Sequence, residues 1–328
     1  MRLPTRSRIA GLALLAGIAA AGAASCSAAP GDAYSQSPHT EGTTPAAATS
    51  PASTQAKPSV PPGPTILVVG APRGVKAKAG ILVDATTGQV LWADGANTPR
   101  PIASITKVMT ALVVMQAGDL NQEILVPKAV TGYVAKYDGN AVGLKPGQVL
   151  TTDELLHAML IESAADAAYT LANFYGPGLP AFVAKMNAEA AKLGLRHTHF
   201  TSPDGLPYPT ETSTYSTPAE LVKLGETAMA YPEFRSIVGL RVYNIPKGDG
   251  HSFYSLSNDN ALLGAYPGAV GIKTGFTNAA GHTLLFEAIR GDRTLIGVVL
   301  GSPPTGPAAG AQDATKVLNW GFALKQTG

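Results

Sequence analysis

The amino-acid sequence predicts an α+β fold: one antiparallel sheet of about five strands drawn from both chain ends, packed with helices, plus an all-helical subdomain. Three observations lead there. Strand patterns stand near residue 80 and again beyond residue 268, the segments between them carry helical period, and two of the strand pairs are joined by short turns. With 328 residues, 45% of them hydrophobic and 14% charged, the chain has ample material for a packed core.

Taken in order, "AGILVDATTGQVLWAD" predicts strands at 79–84 and 89–93 around a turn at Thr86-Thr87-Gly88. Helices follow at 104–117, at 152–162 behind a Thr151-x-x-Glu154 capping box, at 166–175, and at 180–193 stopped by Gly194. Another, at 218–230, starts from Thr217, Pro218 and Glu220. "GAVGIKTGF", "HTLLFEAIR" and "RTLIGVVLG" predict three more strands, the last two joined through Gly291-Asp292, and "DATKVLNWGFALK" a closing helix.

The beginning of the chain differs. Residues 1–25 combine Arg2, Arg6 and Arg8 with the apolar run "IAGLALLAGIAAAGAA", too short and wrongly flanked for a spanning helix, and so predict an export signal. Residues 26–74 are predicted to be a disordered Ala/Ser/Thr/Pro linker and 75–328 the folded domain. Cys26 is the single cysteine, so no internal disulfide forms. It follows small residues as in a bacterial lipobox, although Ala23 stands where Leu is usual, and a plain Ala-x-Ala cleavage is the competing reading. The expected location is the outer face of the cytoplasmic membrane or the cell wall, with Cys26 as a lipid anchor.

Charge narrows the partners. The chain has 24 basic and 22 acidic residues; losing the three arginines of the signal leaves 21 against 22, with no basic stripe for nucleic acid. His197 and His199 in "RHTHF" lack an evident third ligand, so no metal is expected, nor any cofactor. His157 is expected to pack, and Tyr133 and Tyr137 to pack rather than act.

One segment calls for chemistry. "ASITKVMTALVVM" is apolar at helical spacing, yet it carries Ser104 and, three residues on, Lys107 on the same side. A serine hydroxyl needs a base, and no histidine is suitably placed. Lysine serves when burial and a nearby cation lower its pKa, and Lys273 in "KTG" would be that cation once its strand lies beside the helix. Ser104 at a helix start also has its own N–H and the positive end of the dipole beside a developing oxyanion. Ser163, in "IESAADAAYTLA", falls at a break between two predicted helices.

The order Ser104-x-x-Lys107, Ser163-x-x, Lys273-Thr274-Gly275 resembles the motif set of penicillin-binding proteins and serine β-lactamases. With "PIASITKVMTAL", "LLHAMLIESAADAA", "THFTSPDGLP" and "PGAVGIKTGFTNAAGHTLL" in that order, the sequence resembles the serine D-alanyl-D-alanine carboxypeptidases, low-molecular-mass penicillin-binding proteins of peptidase family S11, over about residues 75–325. The resemblance implies the transpeptidase-like fold of that family and acylation of Ser104 by the D-Ala-D-Ala end of a peptidoglycan stem peptide. It implies Lys107 as proton acceptor and Ser163 as proton relay. Lys273, Thr274 and Gly275 would bind the terminal carboxylate, and the Phe276 N–H would be the second oxyanion donor. β-Lactam antibiotics are implied as inhibitors at the same serine.

Two positions depart from the family pattern. Ala165 stands where the middle motif has Asn, and its loss is expected to weaken binding or turnover; Asp166 is expected to cap a helix rather than replace it. Asp204 in "SPDGLP" stands where relatives often have His. Two alternatives follow: a β-lactamase, against which the lack of an E-x-x-L-N signature counts, and a nearly inert wall-binding relative.

Overall fold

A computed structural model describes residues 65–248 and 250–327. The expected export signal, Cys26 and the expected linker up to residue 64 lie outside the described residues. The described chain opens with β1 (Thr65–Ile66), β2 (Ala79–Asp84), β3 (Gln89–Asp94) and the short β4 (Arg100–Pro101). A 3-10 turn, Ala103–Ile105, leads into α1 (Thr106–Ala117), followed by β5 (Glu123–Leu125), α2 (Val130–Tyr137) and β6 (Val149–Thr151). Next come α3 (Thr152–Ile161), α4 (Ala165–Tyr175), α5 (Leu179–Lys192), β7 (Tyr215–Ser216), α6 (Pro218–Met229) and α7 (Pro232–Val238). The hairpin β8 (Val242–Ile245) and β9 (Tyr254–Ser257) precedes β10 (Ala269–Thr277), β11 (Gly281–Arg290), β12 (Arg293–Ser302), α8 (Ala309–Ala323) and β13 (Gln326–Thr327).

The main sheet has five strands in the order β10-β11-β12-β2-β3, every pairing antiparallel, so both ends of the folded region meet in it as the sequence predicts. Its central strands are buried on both faces, which is why β2 and β12 are nearly continuous apolar runs. Alternation along them separates two cores. Leu82, Leu295 and Val299 pack with Val317 and Leu318 of α8, while Ile81, Val83, Ile296 and Val298 join a larger cluster that includes α1, α3, α4 and α6. Fully burying each such side chain is worth ~1.5–3 kcal/mol. Asp84 and Arg293 pair inside at 3.3 Å, and the same guanidinium donates to the carbonyls of Gly321 and Leu324 at the end of α8.

The capping box opening α3 forms in both directions between Thr151 and Glu154, and Thr217 caps α6 by accepting from the Glu220 N–H. One boundary moves. β1 pairs with β13 antiparallel, Thr65 opposite Thr327, so paired backbone starts inside the stretch expected to be linker and ahead of residue 75. Backbone pairing against the far terminus orders this composition, which could not order itself.

Candidate active site

The site is built on α1, the central helix. From Ile102 to Val114 every residue is buried except Ser104, so the turn before α1 presents one side chain to solvent. Ser104 stands on the 3-10 turn rather than in the α-helix, one turn tighter than the sequence implied, with Ala103 at φ +48° redirecting the chain into it. Gly205 makes that bend possible: a Cβ there would stand 1.9 Å from the Ala103 carbonyl oxygen, and its φ of +81° suits glycine.

Lys107 lies one turn on and is 1% exposed. Its Nζ donates to Ser104 Oγ at 2.9 Å and to the Asp204 carbonyl at 2.9 Å. Burial lowers its pKa from the usual lysine value to about 8, against the upward pull of the Asp204 and Asp166 carboxylates. The fold thus makes this lysine a competent base for the serine it touches.

Strand β10 forms the open edge of the main sheet and brings Lys273, Thr274, Gly275 and Phe276 to the same place. A Cβ on Gly275 would stand 2.8 Å from the Ser104 nitrogen and 3.1 Å from Ala103 Cβ, so the strand lies directly against the serine's turn. Thr283 on β11 ties the approach together, its hydroxyl reaching the carbonyls of Ile102 and Gly275 at 3.3 and 3.2 Å. Lys273 is 2% exposed, and its Nζ donates to Thr274 Oγ1 at 3.4 Å. Burial first, then the Lys107 ammonium, lower its pKa to about 7, with Asp259 pulling upward. Burial is the larger cause for both lysines, and the repulsion between their ammonium groups acts on each. Thr274 and Gly275 are partly open and Phe276 is exposed, so this edge faces solvent where the serine does.

Ser163 sits between α3 and α4, as expected, nearly buried and at φ +59°. Among the described residues its hydroxyl makes no hydrogen bond to Ser104 or Lys107. Asp166 does not occupy the N-cap position, but its carboxylate accepts from the first-turn N–H of Ala167 at 2.9 Å, so the expected capping is met in part. The same buried carboxylate accepts from the N–H groups of Val142, Gly143 and Leu144 at 3.3, 2.9 and 2.8 Å, and so pins the loop after α2 against α4. The capping is partial because of position: Asp166 is already inside the helix, and Ala164 occupies the cap.

The sequence marks Asp204 as a departure without giving its part and has Asn258 and Asn260 as loop-fixing residues, which they are. Asp204 holds Lys107 through its main chain, and its buried carboxylate accepts from the Tyr133 hydroxyl at 2.8 Å and the Leu206 N–H at 3.1 Å. Tyr133 is thus one residue removed from the base rather than simple packing, and burial together with Asp204 pushes its pKa upward. The signal was "SPDGLP" departing from the family pattern. Asn258 and Asn260 fix their loop through the Leu240 carbonyl and the Leu262 N–H, which sets Asp259 near Lys273. His197 pairs with Glu220 at 3.1 Å and His157 stacks on Tyr243 at 3.9 Å between centroids. Among the described residues no group of three or more His, Cys, Asp or Glu could hold a metal.

A solvent-facing serine on a buried lysine whose pKa burial lowers, with a second lysine on the neighbouring sheet edge, is an arrangement suited to acyl transfer without a histidine. Comparison with known proteins agrees. The family described as D-alanyl-D-alanine carboxypeptidase, peptidase S11, matches residues 67–304. The D-alanyl-D-alanine carboxypeptidase of Streptomyces sp. (strain K15) is 38% identical over 273 residues, 80% of this chain and 89% of its own. DacB2 of Mycobacterium tuberculosis, another D-alanyl-D-alanine carboxypeptidase, is 40% identical over 249 residues, 76% of this chain and 83% of its own. The crystal structure of the Streptomyces K15 DD-transpeptidase has a TM-score of 0.72 at 36% identity, over 78% of this chain and all of that one.

The chain belongs to the D-alanyl-D-alanine carboxypeptidase family, the serine-type hydrolases of the penicillin-binding kind. Its fold is theirs, as the sequence resemblance implied.

Proposed function

We propose that the chain removes the terminal D-alanine from peptidoglycan stem peptides through an acyl-enzyme on Ser104. Lys107 takes the Ser104 proton as Oγ bonds to the carbonyl carbon between the two D-alanines. The N–H of Ser104 and that of Phe276 on the adjoining strand face the oxyanion, donors worth ~3 kcal/mol each in related chemistry. The C–N bond then breaks, and D-alanine leaves with a proton passed by way of Ser163. Water hydrolyses the ester, returning Oγ–H and a peptide shortened by one residue. The observation that carries this is the 2.9 Å contact between Ser104 Oγ and a lysine whose pKa burial has lowered to about 8.

The two lysines are coupled. In the free enzyme the ammonium of each disfavours that of the other. A substrate carboxylate at Lys273 and Thr274 favours charge on Lys273, and that charge favours the neutral form of Lys107. Substrate arrival therefore moves the free base next to the serine.

Export and anchoring belong to the same proposal. The basic start, the apolar run and the small residues before Cys26 support a lipoprotein on the outer face of the cytoplasmic membrane, and relatives acting on the cell wall suit that place.

The test is free D-alanine measured from a peptide ending in Lys-D-Ala-D-Ala, with Ser104→Ala as control. Release by the wild type alone is expected; none above the control refutes the hydrolase. A fluorescent penicillin is expected to label Ser104 and leave over many minutes, whereas release within seconds would make the site a β-lactamase.

A further inference from the structure

Ser163 holds a backbone conformation that non-glycine residues avoid, φ +59°. Its surroundings must impose it. Helix α3 ends at Ile161, α4 starts at Ala165 with no side-chain cap from Ala164, and among the described residues the Ser163 hydroxyl makes no hydrogen bond that would fix its own turn.

Part of the fixing is local, the Ala164 N–H returning to the Ala158 carbonyl of α3 at 3.2 Å, and part comes from the loop after α2. Asn140 Nδ2 donates to the carbonyl of Glu162, the residue before Ser163, and the Asn140 carbonyl accepts from the Ala165 N–H at 2.7 Å, two residues after it. One residue therefore grips the chain on both sides of the serine. The loop is itself held by the Asp166 carboxylate on Val142, Gly143 and Leu144. It lies close because residues 139 and 165 are small: a Cβ on Gly139 would stand 2.9 Å from Ala165 Cβ and 2.9 Å from Leu206 Cδ1. Asn140 is exposed, so core packing does not account for it.

We infer that Asn140 is the positioning residue of Ser163, supplying from a neighbouring loop an amide that the alanine at 165 does not carry. The inference rests on the reading of Ser163 as proton relay. Asn140 touches no reacting atom; it sets where the Ser163 hydroxyl points.

A double-mutant cycle tests it, with acylation by a fluorescent penicillin measured for wild type, Asn140→Ala, Ser163→Ala and the double variant, alongside their melting temperatures. Asn140→Ala is expected to slow acylation roughly tenfold with little change in melting, and to add less than a factor of about two once Ser163 is already alanine. Asn140→Asp, of the same shape but without the donor, is expected to behave like Asn140→Ala, which keeps the test open if the alanine variant folds poorly. Equal losses in both Ser163 backgrounds, or no loss in either, overturn the inference. A crystal structure of Asn140→Ala reads the Ser163 φ directly, even if the wild type proves inert. Departure from the left-handed region is expected, and retention near +59° overturns the inference without touching the proposed reaction.

Discussion

Gly275→Ala is the sharpest probe of how strand β10 meets the nucleophile. The added Cβ would stand 2.8 Å from the Ser104 nitrogen, about 0.6 Å inside the 3.4 Å of ordinary contact, and 2.7 Å from Thr283 Oγ1. Neither neighbour yields easily: one is backbone, and the hydroxyl already bonds the carbonyls of Ile102 and Gly275. The strand must withdraw by about half an ångström, and since a 1 Å misplacement costs roughly a hundredfold, a tenfold or greater loss of acylation is expected. Overpacking of this size destabilises by ~1–3 kcal/mol, so the fold survives. Stopped-flow acylation by a fluorescent penicillin, with a thermal melt to confirm folding, measures both. A folded Gly275→Ala protein acylated within twofold of wild type would refute the close approach, and with it the role of the Phe276 N–H.

Acylation is expected to rise with pH through about 7 to 8, as the Lys273–Lys107 pair loses its first proton, and the rate–pH profile checks this. Asp204→Asn removes the largest influence raising the Lys107 pKa, so that limb is expected to move to lower pH, with acylation at pH 6.5 several-fold faster than wild type; an unmoved limb refutes the electrostatic assignment. Lys273 has a folded pKa of about 7 against 10.5 when free, so between those values the unfolded chain holds more protons and stability rises with pH. Lys273→Met is thus expected to be more stable than wild type at pH 6, on the order of 4 kcal/mol, with the gap closing by pH 10; denaturant melts across that range measure it. Cys26→Ser is expected to release the protein from membranes and abolish incorporation of labelled palmitate; retention of the label refutes lipid attachment there.

What was legible in the sequence was whatever is local. Thr151 and Glu154 announce the start of α3 because a capping box is complete within four residues, and the Ser104-Lys107 contact follows from helical spacing alone. The sheet was legible because β2, β11 and β12 are apolar runs bounded by turns. Shorter elements were not: α2 contains Gly132 and lacks a side-chain cap, and β8 and β9 are separated by a Pro- and Gly-containing stretch without a two-residue turn signal. Contributors acting through the main chain were invisible, since Asp204 on Lys107 and Asn140 on Ala165 act across 97 and 25 positions through their own backbone carbonyls.

The two-residue ladder between Thr65–Ile66 and Gln326–Thr327 leaves the ends of the folded unit as neighbours. A few glycines could close them into a ring, and the exposed Gly291-Asp292 turn, remote in sequence from every motif, could be cut to make new ends. Such a permuted enzyme would keep the serine, both lysines and Asn140 on unbroken segments, separating the order in which this chain is written from the arrangement it needs.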